Sequence, residues 1–203
     1  TIRVRQPERV VHFRFLFLVP LFLLLIVGGF FYFYSFRSKG EALPIELEST
    51  FGKVELSAQQ GTWVPVKFGQ MLKSGHRLRT APGDGFAEFQ IEDFARIRLK
   101  ENSEVEILPS RSIDSVSLQP LSLRQGTLLL WAGDSKEKKP VQILLAGTTG
   151  QTEQGALLAE IDSKGKAWLG VLRGSAEISG GLLGTERKKV SSPAKVEISS
   201  GFL

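Results

Sequence analysis

Twenty consecutive residues, Phe15 to Tyr34 (FLFLVPLFLLLIVGGFFYFY), carry no charge. A helix of that length rises ~30 Å at ~1.5 Å per residue, the thickness of a bilayer's hydrocarbon core. Eight of the 14 phenylalanines lie between Phe13 and Phe36, and both tyrosines, Tyr32 and Tyr34, fall at one end, where an amphipathic ring suits the headgroup layer. Pro20 removes one helix hydrogen bond, which a bend early in a spanning helix accommodates. Gly28 and Gly29 permit close helix packing, although no small-xxx-small pair reinforces it. A buried core helix needs neither this length nor this lack of charge. A cleaved signal peptide would have a shorter apolar region of about 7–15 residues and a small-x-small cleavage motif, and SFRSKGEALP provides none. The expectation is an uncleaved membrane anchor over residues 15–36, with Leu25 near its middle and the lipid bilayer as its first partner.

The flanks orient it. Arg3, Arg5, Arg9 and Arg14 stand against Glu8 in the tail, residues 1–14, whereas Arg37 and Lys39 are soon followed by Glu41, Glu46 and Glu48. The positive-inside bias places the tail in the cytoplasm, so the segment after the helix is expected in the periplasm of a double-membrane cell, held at the inner membrane. Without the tail the formal charge falls from +5 to +2 with signs interspersed. KEKK (Lys136 to Lys139) and ERKK (Glu186 to Lys189) are short and loop-like, so no nucleic acid is expected as a partner. Cysteine is absent, which excludes disulfides and thiolate metal sites.

From Phe51 onward apolar residues recur at alternate positions or in brief runs: KVELS, TWVPVKF, FAEFQI, ARIRLKE, EVEIL, SVSL, TLLLW, VQILLA, ALLAEI, KAWLGVL, SAEIS and AKVEIS. Turn residues separate them at Gly61, Pro82, Gly133, Ser163 and Gly180. Sustained helical periodicity is missing after Phe36, and Gly126 splits QPLSLRQGTLLLWAG into two strands. The expectation is an all-β domain over residues 51–203, a sandwich or short β-solenoid. Residues 37–50, with Pro44 and three glutamates, read as a polar linker.

Chemistry is hard to find in this pattern. A metal site needs converging ligands, and the two histidines are His12, beside the apolar run, and His76. A serine nucleophile would have only His76 as its base, and no G-x-S-x-G elbow occurs. APGDGFAE has Glu88 where a dinucleotide fingerprint has its third glycine; GGLLGTERKK lacks the Gly-Lys-Ser/Thr of a phosphate loop. Both read as hairpin turns. Glu92 with Asp93 and Glu101 with Glu104 are carboxylate pairs that alternation directs to solvent. No cofactor and no catalysis are expected. Trp63, Trp131 and Trp168 each sit inside an alternating strand, where core packing competes with a role as a stacking platform for a partner or sugar.

The run from Gly52 to Ile107 (GKVELSAQQGTWVPVKFGQMLKSGHRLRTAPGDGFAEFQIEDFARIRLKENSEVEI) resembles the FecR domain, the periplasmic module named for the regulator of iron-dicitrate uptake. The matching positions are Gly52, Val54, Trp63, Val66, Gly69, Leu72, Gly75, Leu78, Thr80, Ala87, Ile97, Leu99, Asn102, Ser103 and Val105. LRQGTLLLW and AWLGVLRGSAEI resemble later strands of the family. His76 stands where the family has aspartate, and GTTGQTEQGALLAEI replaces its late Arg-Gly-Thr segment. The resemblance implies that GQMLKSGHRLRT, Gly69 to Thr80, is a turn between strands. The namesake regulators carry a cytoplasmic anti-sigma segment before the helix; the 14 residues here are too few for one, so the expectation is the module without it.

Together these readings describe a single-pass protein presenting a FecR-like interaction domain to other envelope proteins or to cell-wall material, as a scaffold or accessory subunit. The alternative is a transmembrane signalling regulator of the FecR type.

Overall fold

The computed structural model describes residues 24–29, 43–58, 61–113, 116–133, 139–180 and 186–198. The chain divides into two units, Thr1–Lys39 and Gly40–Leu203. In the first, residues 24–29 are helical, with the side chains of Leu24 to Val27 exposed. Leu25, Gly28 and Gly29 belong to this stretch, while Phe15, Pro20, Tyr32 and Tyr34 lie outside the described residues. Among the described residues no helix is long and apolar enough to cross a membrane.

The second unit is nearly all β. Its strands are β1 (Ile45–Phe51), β2 (Val54–Ser57), β3 (Val64–Pro65), β4 (Met71–Leu72), β5 (Arg77–Thr80), β6 (Phe86–Ile91), β7 (Ala95–Leu99) and β8 (Glu104–Ile107). There follow β9 (Arg111–Ile113), β10 (Val116–Ala132), β11 (Val141–Leu145), β12 (Thr148–Thr152), β13 (Gly155–Ile161), β14 (Ala167–Gly180), β15 (Glu186–Ser191) and β16 (Ala194–Ile198). One sheet runs β4-β1-β6-β7-β10-β13-β14-β16. The other runs β3-β2-β5-β8-β10-β11-β12-β14-β15. All these pairs are antiparallel except β10 with β11. β9 forms a hairpin with the start of β10.

Two long strands therefore belong to both sheets, and a glycine sits at each passage. β10 pairs β8 up to Gln125 and β13 from Gly126 onward. β14 pairs β13 up to Gly174 and β16 before it, then β12 and β15 after it. Gly126 and Gly174 have φ of 82° and 79°, a left-handed conformation that a Cβ makes costly. Space is also closed: a Cβ on Gly126 would come within 2.1 Å of Ser103 Oγ, and one on Gly174 within 2.7 Å of the Gln154 carbonyl. Bends of this kind let one strand turn a corner between packed sheets.

A hydrogen-bonded lock holds the first passage. The buried Thr80 hydroxyl donates to the Lys100 carbonyl and accepts from Ser103 N–H at 3.0 Å. Ser103 Oγ donates to the Glu101 carbonyl at 2.9 Å and accepts from Thr127 N–H at 2.8 Å. Inside, alternation supplies one continuous core to which both sheets contribute. Ala87, Phe89 and Ile91 of β6, Ile97 and Leu99 of β7, Leu128 and Leu130 of β10, and Leu157 and Ala159 of β13 come from one sheet. Leu78 of β5, Val105 of β8, and Val141 and Ile143 of β11 come from the other. Burying each large aliphatic side chain contributes about 1.5–3 kcal/mol. The shared strands make this core barrel-like.

Several expectations need correction. Gly126 does not split its segment into two strands, since β10 runs unbroken through it from Val116 to Ala132, and Trp63 lies just before β3 rather than inside a strand. The expected linker over residues 37–50 overlaps β1, whose Ile45 and Leu47 are core residues paired along β6. Glutamates 46 and 48 lie on its other side, so three acids and a proline masked a strand. The ERKK segment is no loop: it lies in β15 against β14. Pro82 to Gly85 is no hairpin either, since β5 and β6, which it joins, belong to different sheets.

Candidate interaction surface

Residues 69–80 hold β4 and β5 as well as the turn between them, residues 73–76. Gly69, which precedes β4, and Gly75, in the turn, have φ of 69° and 85°. Leu72, Leu78 and Thr80 are buried in the strands, and the turn is closed by His76. Its backbone N–H donates to the Lys73 carbonyl at 3.0 Å, and its Nδ1 accepts from Lys73 N–H at 3.2 Å. Burial, and then the Lys73 charge, hold the imidazole below its usual pKa. A neutral ring accepting a backbone hydrogen bond is a turn clasp. Because protonation opposes folding here, this contribution is present above the ordinary histidine pKa and is lost as pH falls through the lowered one. Proton NMR should show His76 titrating below about 6.5. A midpoint at or above that value would contradict the clasp.

The two arginines that follow His76 do not form an open basic patch. Arg79 donates to Glu55 at 2.8 Å, Arg77 Nε to Glu104 at 3.0 Å, and Arg124 Nε to Glu106 at 2.9 Å. These pairs run across β2, β5, β8 and β10 as a ladder of alternating sign. Trp63 rests against it, with the guanidinium of Arg79 4.1 Å and that of Arg77 5.3 Å from its ring centre. The Arg79 hydrogen bond, then Lys53, holds the Glu55 carboxyl below its ordinary pKa. Its stabilisation is present above that ordinary value and is lost as pH falls through the lowered one. In Arg79→Gln, a carboxyl-detected titration should show the Glu55 midpoint moving up; an unmoved midpoint would break the ladder's logic.

The outer face of the first sheet is different. Register places Trp131 beside Arg96 on one side and Ala156 on the other, and Leu129 beside Arg98 and Leu158. Leu158 is opposite Gly170, and Glu160 opposite Trp168. Side chains at these positions point away from the core, so Trp131, Leu129, Leu158 and Trp168 share one face. Trp131 is 38% exposed. Trp168 lies between Lys166 and Lys195, whose ammonium groups are 4.5 and 4.3 Å from its ring centre. Arg96 pairs with Glu48 at 3.1 Å and Arg98 with Glu88. Lys166 pairs with Glu197 at 2.6 Å. An apolar centre with a charged rim is how a protein interface is built.

Trp131 is also a ridge between two grooves. One, of about 910 Å³, continues to Gln151, Glu153, Arg173 and Lys189 at the second sheet passage; the other, of about 580 Å³, runs to Gln90, Asp93 and Arg98. The three tryptophans, which core packing would have placed inside, all lie on outer faces, each beside cations or in reach of them. Sequence reading missed Leu129, Leu158, Arg96 and Arg98. TLLLW has apolar residues at every position, which signals a strand apolar on both sides. Among the described residues no cluster of three or more His, Asp or Glu side chains could hold a metal ion.

No protein-family profile matches the chain, and no curated protein matches it in sequence. Its fold does have a likeness among solved structures. A crystal structure of a proposed anti-sigma factor from Parabacteroides distasonis superimposes with a TM-score of 0.50 at 8% identity, covering 62% of this chain and 55% of that one. A second crystal structure of the same description gives a TM-score of 0.48, with the same identity and coverage. This chain thus spans about half the length of the protein it matches, and at 8% identity the likeness is one of fold.

Proposed function

We propose that this chain is a membrane-anchored, FecR-like interaction module, with its N-terminus cytoplasmic and its β domain in the periplasm, and that it serves as a non-catalytic scaffold or accessory subunit binding other envelope proteins. The observation that carries the reading is the outer face of the first sheet. Trp131 and Trp168 bracket Leu129 and Leu158, with Arg96 and Arg98 alongside. Tryptophan and arginine are the side chains on which interface affinity concentrates. The proposed anchor, Phe15 to Tyr34, would confine this face to the membrane surface and raise the effective concentration of its partners.

The test is a comparison of the full chain with its Trp131→Ala and Leu158→Lys variants, each purified in mild detergent, with co-eluting proteins quantified by mass spectrometry. Partners engaged through this face should fall about tenfold or more in both variants. An unchanged partner set, or a bare monomer from the unaltered chain, would overturn the reading.

A signalling regulator is the second reading, favoured by the fold likeness to the proposed anti-sigma factor. It requires a cytoplasmic reader of the Thr1–Arg14 tail. Deleting residues 1–9 should then abolish a transcriptional output, and an unchanged transcriptome would remove it.

A further inference from the structure

We propose that the turn Lys67–Gln70 is a lipid-contact tip that seats Phe68 in the headgroup layer of an anionic bilayer. This rests on the reading of the chain as membrane-anchored. Phe68 is 84% exposed, and Val64 and Met71 are each 45% exposed. Three of the β domain's exposed large apolar side chains thus fall within eight residues of sequence.

The tip is fixed in place. Gly69 N–H donates to the Leu47 carbonyl at 3.0 Å, and Leu47 N–H to the Gln70 carbonyl at 3.0 Å. Gln70 closes the turn on itself: its Oε1 accepts from Lys67 N–H at 3.0 Å and its own N–H donates to the Lys67 carbonyl at 3.2 Å. An apolar ring held out in water on a rigid turn loses little conformational freedom when it enters an interface.

Charge selects the partner. From Leu56 to Gly83 the sequence contains no aspartate or glutamate. Arg77 and Arg79 are occupied by Glu104 and Glu55. Lys67 and Lys73, both exposed, make no ion pair among the described residues. Glu46 is the carboxylate that lies beside Gly69, its Oε1 3.7 Å from where a Cβ there would sit, and it is itself exposed to water. A phenylalanine with lysines on either side matches an anionic surface with an acyl layer beneath.

The chain has no cysteine, so Met71→Cys gives a single attachment point for a nitroxide while leaving Phe68 in place. The full-length variant is reconstituted into phosphatidylglycerol–phosphatidylethanolamine vesicles. Collisional access of oxygen and of a water-soluble nickel chelate is then measured, with Lys164→Cys as the reference. Oxygen access exceeding nickel access at position 71 but not at 164 is expected, and Phe68→Ser should return position 71 to an aqueous value. Lys67→Gln and Lys73→Gln should each lower the inserted fraction about fivefold. A label at 71 that stays aqueous, that is screened from both reagents as if packed against protein, or that ignores Phe68→Ser overturns the proposal. Alkaline extraction of the same vesicles reports the anchor separately: retention with an aqueous label at 71 leaves the anchor standing and removes the tip.

Discussion

Gly126→Ala is expected to lower the stability of the β domain by roughly 2–5 kcal/mol, a combination of about 1–2 for a left-handed backbone bearing a Cβ and about 1–3 for forced overpacking. The added methyl would fall within 2.1 Å of Ser103 Oγ and 2.6 Å of the Asn102 carbonyl. Ser103 cannot move freely, because it also holds Thr127 N–H and the Glu101 carbonyl and is held by Thr80. Gly165→Ala is the matched control. Its φ of 79° imposes similar backbone strain, but nothing lies within 4 Å of a Cβ there. Urea unfolding followed by tryptophan fluorescence should show a midpoint shift for Gly126→Ala well beyond that of Gly165→Ala. Equal shifts would mean that the first sheet passage is not sterically closed.

Phe89→Ala should cost about 3–5 kcal/mol in the same assay, the usual range for a large-to-small change at a fully packed site. Phe89 is completely buried on β6, with Leu47 of β1 across one side and Ile97 of β7 across the other, both equally buried. The void left behind is lined by neighbours fixed in a hydrogen-bonded sheet, which limits collapse. Phe68→Ala removes the same ring from a solvent-exposed turn and should change stability by no more than about 0.5 kcal/mol. The two substitutions separate a phenylalanine that holds the fold from one that the fold merely presents.

Much of this architecture was legible in the chain because strand alternation is a local signal. FAEFQI, ARIRLKE and EVEIL read as strands from their apolar spacing alone, and β6, β7 and β8 lie there. Less legible were strands whose apolar content is low or masked. TTGQT of β12 contains no large apolar residue, and ERKKVS of β15 places three cations on a sheet edge, a device that discourages unwanted pairing. IELESTF of β1 was hidden by its acids, although Ile45 and Leu47 alternate with Glu46 and Glu48. The candidate surface was the least legible part. Trp131 and Trp168 are visible as residues, but nothing local says which face of a strand a partner sheet will cover.

What the sequence determined by itself was class and composition of parts: a charge-free 20-residue run, a train of alternating β segments, no thiols, and a single histidine beyond the apolar run. Those follow from length, hydropathy and a period of two, which act over a few residues. Tertiary structure decided the passage of β10 and β14 between sheets, the pairing of Arg77 and Arg79 with distant glutamates, and the outward turn of all three tryptophans. Each depends on register between strands far apart in the chain, and register is set only when the whole core packs at once.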